Sequence, residues 1–543
     1  MNSYLVLILS FFISLISFSQ SKPKLIVGVV VDQMCYDYIY RYESKLSKNG
    51  FLKLIKEGTT CENTHYNYVP TYTGPGHASI YTGTTPSNHG IVANEWYERT
   101  IKREINCVED TSVNSVGTTS DEGKCSPHNL KTLTITDQLK LANKEAKVIG
   151  ISIKNRSAIL PAGHLSNGSY WFDYTTGNMI TSSFYENKFP IWVTDFNKNE
   201  QAKKDLTKTW NTLRPIENYI ESEADNSKYE GLIGGKTSPT FPYNLAEMNK
   251  SRTSFDLFTI TPFANTFLTN FSLEALKNEK LGEDGITDFL TISYSTPDIA
   301  GHTFGPYSIE IEDIYLRLDL DIANLLSELD KKIGKENYVL FLTADHAVVP
   351  VPQYLVDKKL PGGYVYLTPI QTDLTILLNA EFGDGIIESI DNNNIYLNRS
   401  LISEKKWDKN LIELKIKQFL QTKKGIKAIY TSQDLQNTNL SDEWISMVKK
   451  GYRYHESGDV IFILEPGYLP KSLESATSHK GTSHGSAFNY DTHVPLIWYG
   501  KNIPSQKVYR KIEIVDIVST LAPMLNLSLP STCNGKPIVE ILK

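Results

Sequence analysis

Residues 24–31 read K-L-I-V-G-V-V-V and run into Asp32. A β-branched run without polar alternation is the pattern of a strand buried on both faces, as in a parallel sheet covered by helices on each side. The same grammar recurs outward from it. Residues 60–69 read as a second strand and lead into P-T-Y-T-G-P-G-H-A-S-I-Y-T-G over 70–83. There a Gly-Pro-Gly turn precedes apolar residues at helical spacing that stop at Gly83, which puts the Thr73 hydroxyl at or just before a helix N-terminus. Further strands are expected over 148–153, 288–294, 338–343 and 494–499, with helices over 45–56, 134–144, 309–333 and 512–525. Alternation of this kind predicts an α/β fold built on a central, mostly parallel sheet flanked by helices.

Two stretches interrupt the alternation. Residues 168–262 are rich in Tyr, Asn and Ser with scattered aromatics, and residues 350–464 carry a candidate hairpin at 386–397 and a helix at 404–420. Both are expected to be insertions that form a cap over the sheet. There are no repeats, low-complexity tracts or flexible linkers, so 20–543 is expected to fold as one unit. Residues 1–19 read as a signal peptide, an apolar run from Leu5 to Phe18 with cleavage before Gln20, and the product is expected to be periplasmic or secreted. That run is short of the roughly 20 apolar residues a membrane span needs, so no stable membrane insertion is expected.

A net charge of -6 argues against nucleic acid as a partner bound through bulk electrostatics, so any phosphate affinity must be local. The five cysteines, Cys35, Cys61, Cys107, Cys125 and Cys533, show no C-x-x-C spacing, which disfavours a cysteine zinc site. Cys107 and Cys125 flank a polar loop at 110–124 that a disulfide could close, although the pairing is open.

Chemistry enters at the strand ends. Asp32 follows the first strand, Asp298 and His302 follow the 288–294 strand, and Asp345 and His346 follow the 338–343 strand. One Asp after a strand is usually a turn former, but three such ends, two with His, would converge on one sheet edge together with Thr73. With His484 they make three carboxylates and three imidazoles, too many for one tetrahedral site and enough for two open sites with three protein ligands each. Mixed His and carboxylate ligation suits zinc, so two Zn²⁺ are expected. Metals about 4 Å apart can serve the attacking and leaving oxygens of an in-line phosphoryl transfer. The remaining histidines, His65, His77, His89, His128, His164, His455, His479 and His493, are expected to be structural or exposed. Lys154 and Arg156 alternate at the end of the 148–153 strand and are expected to point the same way, with Asn155 facing away.

The set V-D at Asp32, T-G-P-G-H at 73–77, Y-T-G at 81–83, N-H-G at 88–90, K-N-R at 154–156, I-L-P-A-G-H at 159–164, P-D-I-A-G-H at 297–302, A-D-H at 344–346 and H-G at His484 resembles the alkaline phosphatase superfamily. Within it the chain is similar to the branch holding nucleotide pyrophosphatase/phosphodiesterases and the PafA-type phosphatases of flavobacteria. The resemblance implies an alkaline-phosphatase-like sheet with capping insertions. It implies one zinc on Asp298, His302 and His484, and another on Asp32, Asp345 and His346 that also meets the Thr73 oxygen. It further implies that Asn94, Lys154 and Arg156 hold the phosphoryl oxygens, and that Thr73 is a nucleophile forming a phosphothreonine. A sulfatase motif of the C-x-P-S-R type is absent.

The expected function is a secreted phosphate monoesterase acting on small phosphorylated metabolites. The alternative within the fold is a phosphodiesterase or nucleotide pyrophosphatase. A non-catalytic protein on a retired enzyme fold would show a lost nucleophile or ligand, and none is missing. Nothing in the sequence sets the oligomeric state.

Overall fold

A computed structural model describes residues 22–437, 442–475 and 479–542. The expected signal peptide, 1–19, lies outside them. The central sheet has eleven strands. Eight matter here: β1 (Leu25–Val31), β2 (Thr59–His65), β3 (Val148–Ser152), β4 (Gly168–Phe172), β5 (Met179–Ser182), β6 (Asp288–Tyr294), β7 (Tyr338–Thr343) and β8 (His493–Gly500). They lie in the order β2-β8-β7-β1-β6-β3-β4-β5. The five from β7 to β4 are mutually parallel, and β8 runs antiparallel to both β7 and β2.

Register is what builds the site. Val31 of β1 lies opposite Tyr294 of β6, Val30 lies opposite Thr343 of β7, and Ser293 lies opposite Ser152 of β3. The next residues of four parallel strands therefore leave the sheet at one edge, where such folds hold ligands. Every residue of β1, β6 and β7 is buried, in keeping with their mainly apolar sequences.

Helix α1 (Thr73–Thr82) is buried along its whole length and ends at Gly83, whose φ of 69° only glycine adopts at little cost. Helices α2 (Asn155–Ala162) and α3 (Thr296–Phe304) follow β3 and β6. The long α4 (Ile309–Lys332) lays Ile311, Ile314, Leu318, Ile322, Leu325 and Leu329 on the core at helical spacing, each such side chain contributing about 1.5–3 kcal/mol by burial. Ser308 caps its start by accepting from the Ile311 N–H.

The structure departs from expectation in several places. The helix expected over 45–56 begins only at Phe51, because Asp319 of α4 accepts from the Phe51 and Ser47 N–H groups and fixes the chain before it. Residues 168–182, expected to open the first insertion, supply β4 and β5 and extend the central sheet. The C-terminal helix starts at Asp516, since Ile512–Glu513 pairs with β2. Cys107 and Cys125 are free, buried thiols rather than a disulfide. Finally, Lys154 and Arg156 do not continue β3: Lys154 is the N-cap of α2 and Arg156 lies in its first turn, so alternation along a strand is not what orients them.

The second insertion is a module with its own core. Its sheet has the order Ile387–Asp391, Asn394–Leu397, Val460–Leu464, Ile426–Thr431. Ile370, Leu374, Ile412, Ile416 and Phe462 fill the space beneath it. The helix expected at 404–420 is two, Arg399–Lys405 and Lys409–Gln421, divided where Lys406 takes φ 55° and Asp408 caps the second. Among the described residues no helix is long and apolar enough to cross a membrane.

Candidate active site

Thr73 is the first residue of α1, fully buried, with Oγ1 3.4 Å from His346 Nε2. The glycines after it are steric requirements. A Cβ on Gly76 would lie 2.4 Å from the Asp345 carbonyl oxygen, so α1 can start against the end of β7 only with glycine there. A Cβ on Gly74 would crowd Cys107 Sγ at 3.1 Å and Asn94 Oδ1 at 3.3 Å.

The acids meet where their strands end. Asp32 Oδ2 lies 2.7 Å from Lys154 Nζ, and its Oδ1 lies 3.5 Å from His346 Nε2. Asp298, in the first turn of α3, places Oδ1 at 3.2 Å from His302 Nε2 one turn on and 3.5 Å from His484 Nε2, and its Oδ2 at 2.5 Å from Lys154 Nζ. Asp345 Oδ1 accepts from the N–H groups of Gln33 and His346 at 3.2 and 3.0 Å, and its Oδ2 lies 3.3 Å from His77 Nδ1 and 3.8 Å from His346 Nε2.

Each of the three imidazoles faces a backbone carbonyl with Nδ1: His302 that of Thr482 at 2.9 Å, His346 that of Ala347 at 3.0 Å, and His484 that of Thr71 at 2.8 Å. Nδ1–H donation there leaves Nε2 as a lone pair aimed at the carboxylates, the tautomer and second shell of metal-binding histidine. The His346 and His484 rings stack at 3.5 Å between centroids.

This donor set fits metal ions. Ligand atoms of Asp298, His302 and His484 lie within 4.8 Å of one another, and so do those of Asp32, Asp298 and His346. Asp298 thus stands between both groups, whereas Asp345 reaches the second through His346. Asp32 Oδ1 and Asp345 Oδ2 are buried with no hydrogen-bond partner among the described residues. Orphaned carboxylate oxygens are costly, and a cation is what would satisfy them.

The electrostatics say the same. Burial pushes the Asp32 carboxyl well above its usual range, and Asp298 and Asp345 push it further. Asp345 rises to about 6, chiefly by burial and against the pull of Lys154. Burial would raise Asp298 too, but His302 and Lys154 outweigh it and hold that group well below the carboxylate range. Burial lowers His346 and His484 to about 3. Burial also pulls His302 down, yet Asp298 more than offsets this and raises it. Lys154 is the same: burial opposes its charge, and Asp298 and Asp32 overcome it. Three buried carboxylates therefore share one ammonium.

Asn94 joins the site through the nucleophile helix. Its Oδ1 accepts from the Gly74 N–H at 2.7 Å, which turns its Nδ2 into the available donor end. Arg156 Nε is buried without a hydrogen-bond partner, and Arg156 lines a cavity of about 170 Å³ with Lys154, Asn106 and Tyr174. The residues singled out in the sequence thus form one cluster, with Asn94 and Arg156 at its rim.

Two contributors were not singled out. Gln33 donates Nε2 to Asp298 Oδ1 at 2.6 Å and its backbone N–H to Asp345, with φ at 65° and its Oε1 seated on Gly301, where a Cβ would lie 1.9 Å away. His77, expected to be structural, faces the Thr73 carbonyl at 2.8 Å and Ser293 Oγ at 2.8 Å, and so braces the helix start against β6. Its place in T-G-P-G-H was a signal. Gln33 offered only adjacency to Asp32.

Comparison with known proteins follows the same lines. Residues 26–487 match the family described as Type I phosphodiesterase / nucleotide pyrophosphatase. The chain is 40% identical to alkaline phosphatase PafA of Elizabethkingia meningoseptica, over 96% of this chain and 95% of that protein. It is 40% identical to alkaline phosphatase PhoV of Synechococcus elongatus, over 96% of this chain and 94% of that one. The crystal structure of wild-type PafA superposes with a TM-score of 0.92 at 40% identity, covering 97% of this chain and 100% of that chain.

Proposed function

The chain belongs to the type I phosphodiesterase / nucleotide pyrophosphatase family and is an enzyme of the alkaline phosphatase kind, and we propose that it is an exported, zinc-dependent phosphate monoesterase that works through a phosphothreonine on Thr73. The observation that carries this reading is the buried Thr73 hydroxyl facing His346 Nε2 at a helix N-terminus, amid three carboxylates and three imidazoles. Two Zn²⁺, one held by Asp298, His302 and His484 and one by Asp32, Asp345 and His346 beside Thr73, would supply the Lewis acidity that ionises the hydroxyl and offsets charge on the leaving oxygen.

The chain's own residues do the rest. Thr73 Oγ1 attacks phosphorus as the bond to the substrate alcohol breaks, and water then cleaves the P–Oγ1 bond to release phosphate. The α1 N-terminus presents its positive dipole end to the phosphoryl group, while the Gly74 N–H is engaged in holding Asn94 Oδ1. Asn94 Nδ2, Lys154 and Arg156 provide donors and positive charge for the non-bridging oxygens. A monoester carries one more negative charge there than a diester, so two cations favour it. Gln33 holds Asp298 and Asp345 in place, and His77 braces the start of α1. Small phosphorylated metabolites suit so enclosed a site.

The test compares turnover of phenyl phosphate with that of methyl phenyl phosphate, with zinc added and with zinc chelated. Faster, zinc-dependent monoester turnover is expected. The Lys154→Ala/Arg156→Ala double variant should lose at least about 100-fold in monoester kcat/KM and far less in diester kcat/KM. A preference for the diester in the unaltered enzyme would overturn the monoesterase reading in favour of a phosphodiesterase.

A further inference from the structure

The second insertion reaches the phosphoryl-binding rim through one side chain. Its hairpin of Ile387–Asp391 and Asn394–Leu397 turns at Asn392 and Asn393, which take φ of 48° and 59°. Asn tolerates this left-handed conformation better than other side chains. From the turn, Asn392 Nδ2 donates to the Glu95 carbonyl at 2.8 Å and to its neighbour Asp391 Oδ2 at 2.7 Å.

Glu95 follows Asn94 and opens the Glu95–Glu98 strand, which pairs with Arg103–Asn106. Asn94 itself is tied on two sides: its carbonyl accepts from the Cys107 N–H at 2.8 Å and its Oδ1 from the Gly74 N–H at 2.7 Å. Asn392 holds the peptide that follows. The turn is in turn braced, since Asn394 donates Nδ2 to the Asn392 carbonyl at 2.8 Å and accepts the Gly458 N–H at 3.0 Å. Asn392, Asn393 and Asn394 also wall a cavity of about 50 Å³ with Tyr72, Ala93 and His484, so the hairpin tip borders the site on its His484 side.

We propose that Asn392 is a positioning residue for the phosphatase reaction: through the Glu95 carbonyl it fixes the backbone that aims Asn94 at the phosphoryl group. This rests on the assignment of Asn94 as a phosphoryl donor. The insertion is thereby part of the catalytic apparatus as well as a cover. Its contribution reaches the substrate only through Asn94, which distinguishes it from general support of the fold.

A double-mutant cycle tests this. Asn392→Gly keeps the left-handed turn and removes the donor, and Asn392→Asp keeps the shape and turns a donor into an acceptor facing a carbonyl. Each should lower kcat/KM for phenyl phosphate about fivefold, the effect of one lost hydrogen bond, and weaken inhibition by inorganic phosphate by a similar factor. In an Asn94→Ala background the same substitutions should change kcat/KM by less than about twofold, because the route is already broken. Equal losses in both backgrounds, or no loss in either, would overturn the proposal while leaving Asn94 in its role. If Asn94→Ala alone leaves turnover and phosphate inhibition unchanged, the role of Asn94 fails and this inference with it.

Discussion

Two buried charge clusters in this molecule have opposite balances. At the sheet edge, Asp32, Asp298 and Asp345 share one ammonium, that of Lys154, and two of their oxygens have no hydrogen-bond partner among the described residues. In the second insertion the buried carboxylate of Asp459 is met by Arg99 at 3.0 Å, Arg399 at 2.8 Å, Lys409 at 3.0 Å and the Leu397 N–H at 2.9 Å. The cations around Asp459 have other acceptors too: Arg99 the His455 carbonyl, Arg399 the Tyr454 carbonyl, and Lys409 Glu413. A fold that over-satisfies one carboxylate while leaving three short of charge has left room at the second place for cations from outside. Burial alone does not mark a functional site; what sets the sheet edge apart is three buried carboxylates gathered with three imidazoles whose Nε2 atoms face them.

The largest effect that can break this contrast is metal removal. Dialysis against a chelator at neutral pH should abolish phosphatase activity and lower the melting temperature, because the carboxylates at the sheet edge then face one another across a dry site. Zinc should restore both. The Thr73→Ala variant separates the metal from the chemistry: it should retain the metal-dependent rise in melting temperature while kcat falls by about 10⁴-fold or more. Metal analysis that finds none bound to active protein would collapse the distinction between the two clusters.

The two regions also differed in how far they could be read beforehand. Asp32, Asp298 and Asp345 were legible because each follows a mainly apolar, buried strand whose partners are other such strands, so one pattern gives the strand, its direction and the edge where its acid emerges. The insertion's sheet was not, because Asn394–Leu397 pairs with the distant Val460–Leu464 and Ile387–Asp391 is only half buried, which leaves no local period to find. Lys154 and Arg156 were picked out as a pair at a strand end, whereas they sit at the start of α2. Lys is not a usual N-cap, and Pro161 inside α2 disguises the helix that orients them. Gln33 escaped because its role depends on a left-handed backbone and on Gly301 far along the chain. Asp459 escaped because an isolated Asp says nothing of three cations drawn from separate elements.

Asp459→Asn probes the balanced side. It leaves three partly buried cations without their shared anion, and should cost about 3 kcal/mol in chemical denaturation. Metal content should be unchanged. The pH dependence follows from the sign of the shift. Burial tends to raise the Asp459 carboxyl, but Arg399, Lys409 and Arg99 together hold it below its usual range. A depressed folded value means that its stabilisation is complete above the ordinary carboxylate pKa and is lost as pH falls through the lower folded one. The melting-temperature gap between Asp459→Asn and the unaltered protein should therefore be flat from about pH 8 to 5 and narrow only below about pH 4. A gap that widened with acid would mean that Asp459 is not the charged centre of the cluster.

The smallest expected effect is the most discriminating. Arg99→Met removes one of three cations from Asp459, the one that comes from the main body rather than from the insertion. Arg399, Lys409 and the Leu397 N–H remain, so the carboxylate stays satisfied, and the loss should be no more than about 1 kcal/mol. The same logic applied to the metal-free sheet edge predicts the reverse, since among the described residues Lys154 is the one lysine or arginine ion-paired with Asp32 and Asp298. A small cost for Arg99→Met beside a large one for Lys154→Ala, measured by denaturation of the metal-free protein and by phenyl phosphate turnover of the zinc-loaded protein, would tie function to charge that the fold leaves uncompensated. Comparable costs in stability for the two would make Lys154 another structural cation. The acids around it would then be a second version of the Asp459 cluster rather than its opposite.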